Sequence, residues 1–278
     1  MKKFNTREKF NMWKNKIILV TGGSSGLGLA LSTQFAKLGS RVVMAARDID
    51  RLESAASEIR DNYSGAELFP FRCDVTNQSE VDALFRKITE EFGSLDVLVN
   101  NAGHSMRGRV IDTLPEQFQS LFDLNVLGVI RCTIGALPLI LKSCGHIVNI
   151  GSLASKSAAK YVGAYPVTKF AVAAYSQQLR LELCDDGVHV LLVCPGPIKR
   201  EGNRIYQFDQ VKNVPESAMT QGAGVKVNLI DPIKLADKII KYCELRKPEL
   251  VVPAKAKLLF AISQISPTLG DWIVKHTT

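Results

Sequence analysis

Lys16-Ile-Ile-Leu-Val-Thr-Gly-Gly-Ser-Ser-Gly-Leu-Gly28 runs from a short apolar, β-branched stretch into a glycine-rich turn, and Leu29 to Leu38 then carries apolar residues at helical period up to Gly39. A buried strand, a turn and a helix are the reading. In that order the turn aims unpaired backbone N–H groups and the positive end of a helix at a phosphate, and the glycines let a pyrophosphate approach the chain. No Gly-Lys-Ser/Thr follows, so an ATP-binding P-loop is disfavoured.

Working outward, Arg41 to Ala46 reads as a second strand, at whose end a dinucleotide fold holds the adenosine ribose. An acidic residue there would bind a ribose 2'-hydroxyl. Ala46 and Arg47 stand in its place, which suits a 2'-phosphate, and Asp48 reads as the N-cap of a helix over 49–61. Residues 66–72 form a third strand ending at Asp74, a residue equally suited to an adenine amino group or to capping the turn. After a helix over 79–92, Leu95 to Asn100 is a fourth strand, and Asn101-Ala-Gly103 makes a small-residue corner where an amide side chain can satisfy exposed backbone.

Pro115 to Leu141 predicts one long helix with Asn125 among apolar neighbours. A fifth strand spans 145–151, a helix runs through Asp185, and Val188 to Cys194 is a sixth, wholly apolar strand of the kind found inside a parallel sheet. Glu249 to Val252 is a seventh, after a helix from Pro232 to near Tyr242. Strands alternating with helices imply an α/β fold with a doubly wound, seven-stranded parallel sheet and helices on both faces.

Between the fifth strand and the following helix, Ser152 emerges at the carboxyl end of a strand, where open α/β sheets bind ligands. Thirteen residues later Tyr165 begins Tyr-Pro-Val-Thr-Lys169. That spacing puts a phenol and an ammonium on one helical face. A fixed ammonium favours phenolate, so Tyr165 is suited to proton transfer nearer neutrality than its ordinary pKa of about 10. Pro166 directly after it requires the helix to begin close to Tyr165.

Composition bounds the remaining possibilities. Of 278 residues, 46% are hydrophobic and 22% charged, as in an ordinary globular protein. The net charge of +8 admits nucleic acid, anionic lipid or an anionic cofactor, but the basic residues are spread along the chain, and Lys2, Lys3, Arg7, Lys9, Lys14 and Lys16 form the only concentration. These lack a following apolar stretch and read as a solvated extension over 1–14. The six cysteines show no Cys-x-x-Cys spacing and none of the four histidines forms a metal-like pair, so neither a zinc site nor an oxidising compartment is expected. No apolar run reaches the ~18 residues of a membrane span. Segment 198–230 is polar and irregular, as a substrate lid would be, and 254–278 is an apolar, amphipathic tail with Leu258, Leu259, Ile262 and Ile265 on one stripe. That stripe suits packing on its own domain or a second subunit, with contact at a membrane surface as the sharper alternative.

Together, Thr21 to Gly28, Asn100-Asn-Ala-Gly103, Asn125-Val-Leu-Gly128, Ser152, Tyr165 to Lys169 and Pro195-Gly196 make the chain resemble the short-chain dehydrogenase/reductase family over roughly 15–253. The resemblance implies a Rossmann-type domain and an NAD(P)-dependent oxidoreductase acting on a small-molecule carbonyl or secondary alcohol, with Asn125, Ser152, Tyr165 and Lys169 as catalytic tetrad, and Arg47 makes NADP(H) the expected cofactor. In that tetrad Asn125 would bind a water that returns protons through Lys169. Cofactor contacts are expected from Gly22, Ser24, Ser25, Gly26, Leu27, Gly28, Arg47, Asp74, Val75, Asn101, Ala102, Gly103, Tyr165, Lys169, Pro195, Gly196 and Ile198. It further implies a homodimer or homotetramer, while the cysteine pattern and the spread of charge lead us to expect a cytoplasmic protein with no nucleic-acid partner. A cofactor-binding regulator that catalyses nothing, and a peripheral membrane enzyme acting on lipid or steroid ketones, are the rivals. One departure from the family pattern is Lys199-Arg200, where a threonine near the nicotinamide carboxamide is common.

Overall fold

A computed structural model of the protein describes residues 12–199, 214–219 and 228–277. Arg200, most of the expected lid and the basic residues before Met12 lie outside the described residues. Seven strands, β1 (Ile17–Thr21), β2 (Arg41–Ala46), β3 (Glu67–Arg72), β4 (Val97–Asn100), β5 (His146–Ile150), β6 (His189–Pro195) and β7 (Glu249–Val252), form one parallel sheet in the order β3-β2-β1-β4-β5-β6-β7. The order reverses between β1 and β4, which opens a crevice at their carboxyl ends.

Alternate residues of the buried strands face opposite layers. Ile18 and Val20 pack with α1 (Gly26–Lys37), α2 (Ile49–Asn62) and, farther along the sheet, α7 (Pro232–Glu244). Ile17 and Leu19 pack with α3 (Gln78–Phe92) and the long central helix. Two covered faces are why these strands read as unbroken apolar runs. Trp13, within the basic N-terminal stretch, belongs to the first layer: it is 2% exposed, meets Phe35 edge-on at 5.2 Å and donates from Nε1 to Glu244 Oε1.

The expected single helix from Pro115 is three pieces. α4 (Pro115–Phe122) passes through a π turn, Asp123–Leu127, into α5 (Gly128–Ser143). The π turn arises from tertiary bonding of Asn125, described below. The rod Pro115–Ser143 is long and apolar enough by length and composition to cross a membrane, but half of its most apolar window is buried in the protein, as in the core helix of a globular domain. Beyond β7, α8 (Ala256–Ile265) and α9 (Pro267–Thr277) form a hairpin in which Phe260 of α8 is buried in a cluster with Val126, Val129 and Val172, and Ala256 packs against it. Leu258 and Ile265 of the expected stripe are exposed, at 69% and 86%.

Candidate active site

The turn after β1 has two glycine requirements of different kinds. Gly26 sits at φ +54° with open space around it, so its backbone conformation is the constraint. A Cβ on Gly28 would lie 2.1 Å from Gly22 O, so there the constraint is close packing of helix against turn. Ser25, the N-cap of α1, makes no side-chain cap bond, which leaves the first N–H groups of the helix available to an anion. Asn101 holds the turn from β4, donating from Nδ2 to Thr21 O at 2.9 Å and Gly22 O at 3.2 Å, as its amide chemistry predicted.

A cleft at the β1/β4 crevice is lined by Gly22, Ser24, Arg47, Asp74, Val75, Ala102 and Gly103 from the expected set, and by Arg51, which the sequence reading missed. Arg51 lies in the first turn of α2, one helical turn beyond Arg47, and that spacing was the available signal. Asp48 Oδ1 accepts from Arg51 N at 3.0 Å, so this carboxylate is engaged as the N-cap of α2. Asp74 likewise caps its own turn, with Oδ1 accepting from Thr76 N and Thr76 Oγ1, while still lining the cleft. A glycine cradle, an uncapped helix start and two guanidiniums fit an anionic dinucleotide.

At the neighbouring strand end, β5 delivers Ser152, whose Oγ accepts from Ala154 N at 3.1 Å at the start of the Leu153–Ser155 turn. α6 (Tyr165–Glu182) begins at the tyrosine itself, and Pro166 falls in its first turn, where a missing N–H costs no helical hydrogen bond. The helical start that Pro166 demanded is therefore met. Lys169 lies one turn on, with Nζ 5.8 Å from the centre of the Tyr165 ring and donating to Ile150 O at 2.7 Å. It is 7% exposed, and burial pulls its pKa from 10.5 down to about 8.

Asn125 is fully buried in the π turn. Its Oδ1 accepts from His104 N, and Nδ2 donates to His104 O and Thr168 Oγ1, each at 3.0 Å. Both amide hydrogens are thus used, so the side chain itself could meet a water only at Oδ1. Thr168 in turn donates to Tyr165 O at 2.8 Å, so one buried hydroxyl ties the Asn125 turn to the start of α6. A π turn held this way at a strand-end site is a common mark of function.

Pro195 ends β6, and Gly196 N donates to Val252 O. Ile198 bridges to Ile230, which pins the two roots of segment 198–230 together. The sequence model of the short chain dehydrogenases matches residues 16–208. The chain belongs to the short-chain dehydrogenase family. This short-chain dehydrogenase is 33% identical over 225 residues to an uncharacterized oxidoreductase of Staphylococcus aureus strain N315, covering 78% of this chain and 96% of the relative. Among solved structures it resembles L-sorbose reductase from Gluconobacter frateurii complexed with NADPH and L-sorbose, at 27% identity and a TM-score of 0.73, over 86% of this chain and 95% of that one. It also resembles an alcohol dehydrogenase from the archaeon Thermococcus sibiricus complexed with 5-hydroxy-NADP, at 26% identity and a TM-score of 0.70, over 85% and 95%. The protein is an enzyme, an oxidoreductase acting on CH–OH groups with a nicotinamide cofactor.

Proposed function

We propose that the protein is an NADP(H)-dependent carbonyl reductase or alcohol dehydrogenase in which Tyr165 is the acid/base. The observation that carries this reading is the Tyr165–Lys169 pair opening α6 beside the phosphate-binding cleft. When bound, the reduced nicotinamide supplies hydride to a carbonyl carbon. Ser152 donates a hydrogen bond to the carbonyl oxygen, and Tyr165 gives that oxygen its proton as negative charge develops there. The Lys169 ammonium stabilises the charge left on the phenol oxygen, and the oxidative direction retraces these transfers. Asn125 and Thr168 fix the backbone on either side of the pair.

Arg47 and Arg51, with Asp48 turned to its own helix, support NADP(H) over NAD(H). Titration of the protein with NADPH and NADH tests this. Arg47→Ala or Arg51→Ala should each weaken NADPH binding by about 10- to 100-fold, the worth of one charge-assisted hydrogen bond, and leave NADH nearly unchanged. A wild-type preference for NADH contradicts the assignment. The oxidoreductase relatives weigh against a non-catalytic sensor.

Phe122 and Ile134 on the central rod and Phe170 and Leu181 on α6 are exposed, which supports a homodimer or homotetramer formed through these helices. Four free buried thiols, at 73, 132, 194 and 243, support a reducing, cytoplasmic setting. Exposed Leu258, Ile265 and Trp272 beside Lys255 and Lys257 favour a second location, the surface of an anionic membrane. Liposome co-sedimentation that survives deletion of residues 255–278 would contradict it. The family match and the Ile198–Ile230 bridge at its roots support one unit over 15–253 with 198–230 as substrate lid.

A further inference from the structure

The sequence spacing offered no histidine pair, yet the parallel register of β5 and β6 sets His146 directly beside His189. Both stand at the amino-terminal edge of the sheet, about 13 Å of strand away from the catalytic end of β5. Their Nδ1 atoms are 2.9 Å apart, and Cys243, fully buried on α7, completes a group whose three ligating atoms lie within 4.8 Å of one another. We propose that His146, His189 and Cys243 bind a thiophilic d10 cation, Cu(I) or Zn(II), at a site separate from the oxidoreductase chemistry.

Two observations carry this assignment. The ligands come from three different elements, so the fold and not a local sequence motif assembles them. His189 has its other ring nitrogen, Nε2, against Lys247 O at 2.8 Å, which holds the proton there and leaves Nδ1 unprotonated, accepting from His146 Nδ1. Metal-bound imidazoles are oriented by that kind of outer bond.

Bond lengths of about 2.0 Å to nitrogen and 2.3 Å to sulfur require ligand atoms roughly 3.4–3.7 Å apart. The two nitrogens therefore open by about 0.5 Å on binding and the sulfur closes by up to about 1 Å. On binding, the Cys243 thiol releases its proton to solvent and the proton shared between the Nδ1 atoms moves to His146 Nε2.

Charge selects between the ions. The neighbouring charged groups are Lys16, paired with Asp96, then Arg246, which donates to Cys144 O and Gly187 O, and Glu244, bonded to Trp13. One thiolate and two neutral imidazoles make a neutral complex with Cu(I) but a cationic one with Zn(II). In a buried site beside Arg246 the neutral complex costs less, so Cu(I) binds more tightly.

The test uses the full chain with the two exposed thiols removed as Cys144→Ser and Cys184→Ser, so that surface sulfur cannot answer. Cu(I) is titrated anaerobically against bicinchoninate and Zn(II) against a chromophoric chelator. One equivalent of Cu(I) should bind, with X-ray absorption reporting one sulfur and two nitrogens. Cys243→Ala and His189→Gln should each weaken binding at least 100-fold while the variants keep a cooperative thermal transition. Tighter Zn(II) than Cu(I) binding with the same dependence on Cys243 upholds the site and overturns the charge argument. The site is refuted if neither ion binds at one equivalent, if Cys243→Ala binds as tightly as its parent, or if the absorption spectrum of the unsubstituted ligand set contains no sulfur.

Discussion

Lys169 should cost the fold stability that its chemistry requires. The unfolded chain holds the Lys169 proton up to about pH 10.5, whereas the folded protein releases it near 8 because the ammonium is buried. Between those values the unfolded state binds more protons, so this residue makes stability rise with pH across that window. A gap of roughly 2.5 pKa units at 1.36 kcal/mol each corresponds to about 3 kcal/mol of penalty at pH 7. Lys169→Met keeps the length and apolar stem and removes the charge, while leaving Ile150 O without its 2.7 Å donor, a pH-independent loss of about 1 kcal/mol. The variant should therefore be more stable than wild type at pH 7 by about 2 kcal/mol and lose that advantage by pH 10 to 11. Urea unfolding of both proteins from pH 7 to pH 10 reads this directly, since groups common to both cancel in the difference. Activity should be lost with the charge. A stability difference that stays constant over the whole range would refute the reasoning.

Other consequences are as concrete. Thr168→Val keeps the shape of a fully buried side chain but cuts the link from Asn125 to Tyr165, so kcat should fall by about 10- to 100-fold with NADPH affinity unchanged, and Thr168→Ser should restore it. His146 and His189 have folded pKa values below the ordinary 6.5, so their contribution to stability is complete above pH 6.5 and is lost as pH falls through 4 toward 3; the urea midpoint should drop in that window, and less so in His189→Gln. Gly28→Ala forces a contact of 2.1 Å with Gly22 O and should weaken dinucleotide binding and lower the Tm, whereas Gly26→Ala meets only its φ of +54° and should cost about 1–2 kcal/mol of folding stability.

Strands covered on both faces write themselves as apolar runs, which is why β1 and β6 could be found within a residue or two of their ends. Asp48 as an N-cap and Asn101 as a holder of the glycine turn were equally accessible, because each acts on backbone close to its own position or at a predictable corner. Long-range bonding was not accessible. The π turn at Asn125 depends on His104 and Thr168, and no helical period in residues 115–141 reports them. The contact of His146 with His189 depends on the register of two strands 43 positions apart. Trp13 was hidden in a basic stretch whose composition suggested solvent, although the ring packs on Phe35. Asn125 itself was foreseen from both sides, as a core amide bonded to backbone and as a catalytic group, and its bonds to His104 satisfy the first of these.

In the proposed mechanism Tyr165 gives the proton that completes hydride transfer. Its most direct test is NADPH oxidation against a panel of ketones and aldehydes by wild type and Tyr165→Phe, with NADPH affinity measured in parallel. The wild type should turn over, and the variant should lose about 10²- to 10⁴-fold in rate, the usual worth of a positioned acid, while binding NADPH about as well. Turnover by Tyr165→Phe at the wild-type rate would contradict the account, and so would a wild-type protein that binds NADPH tightly and reduces no member of the panel.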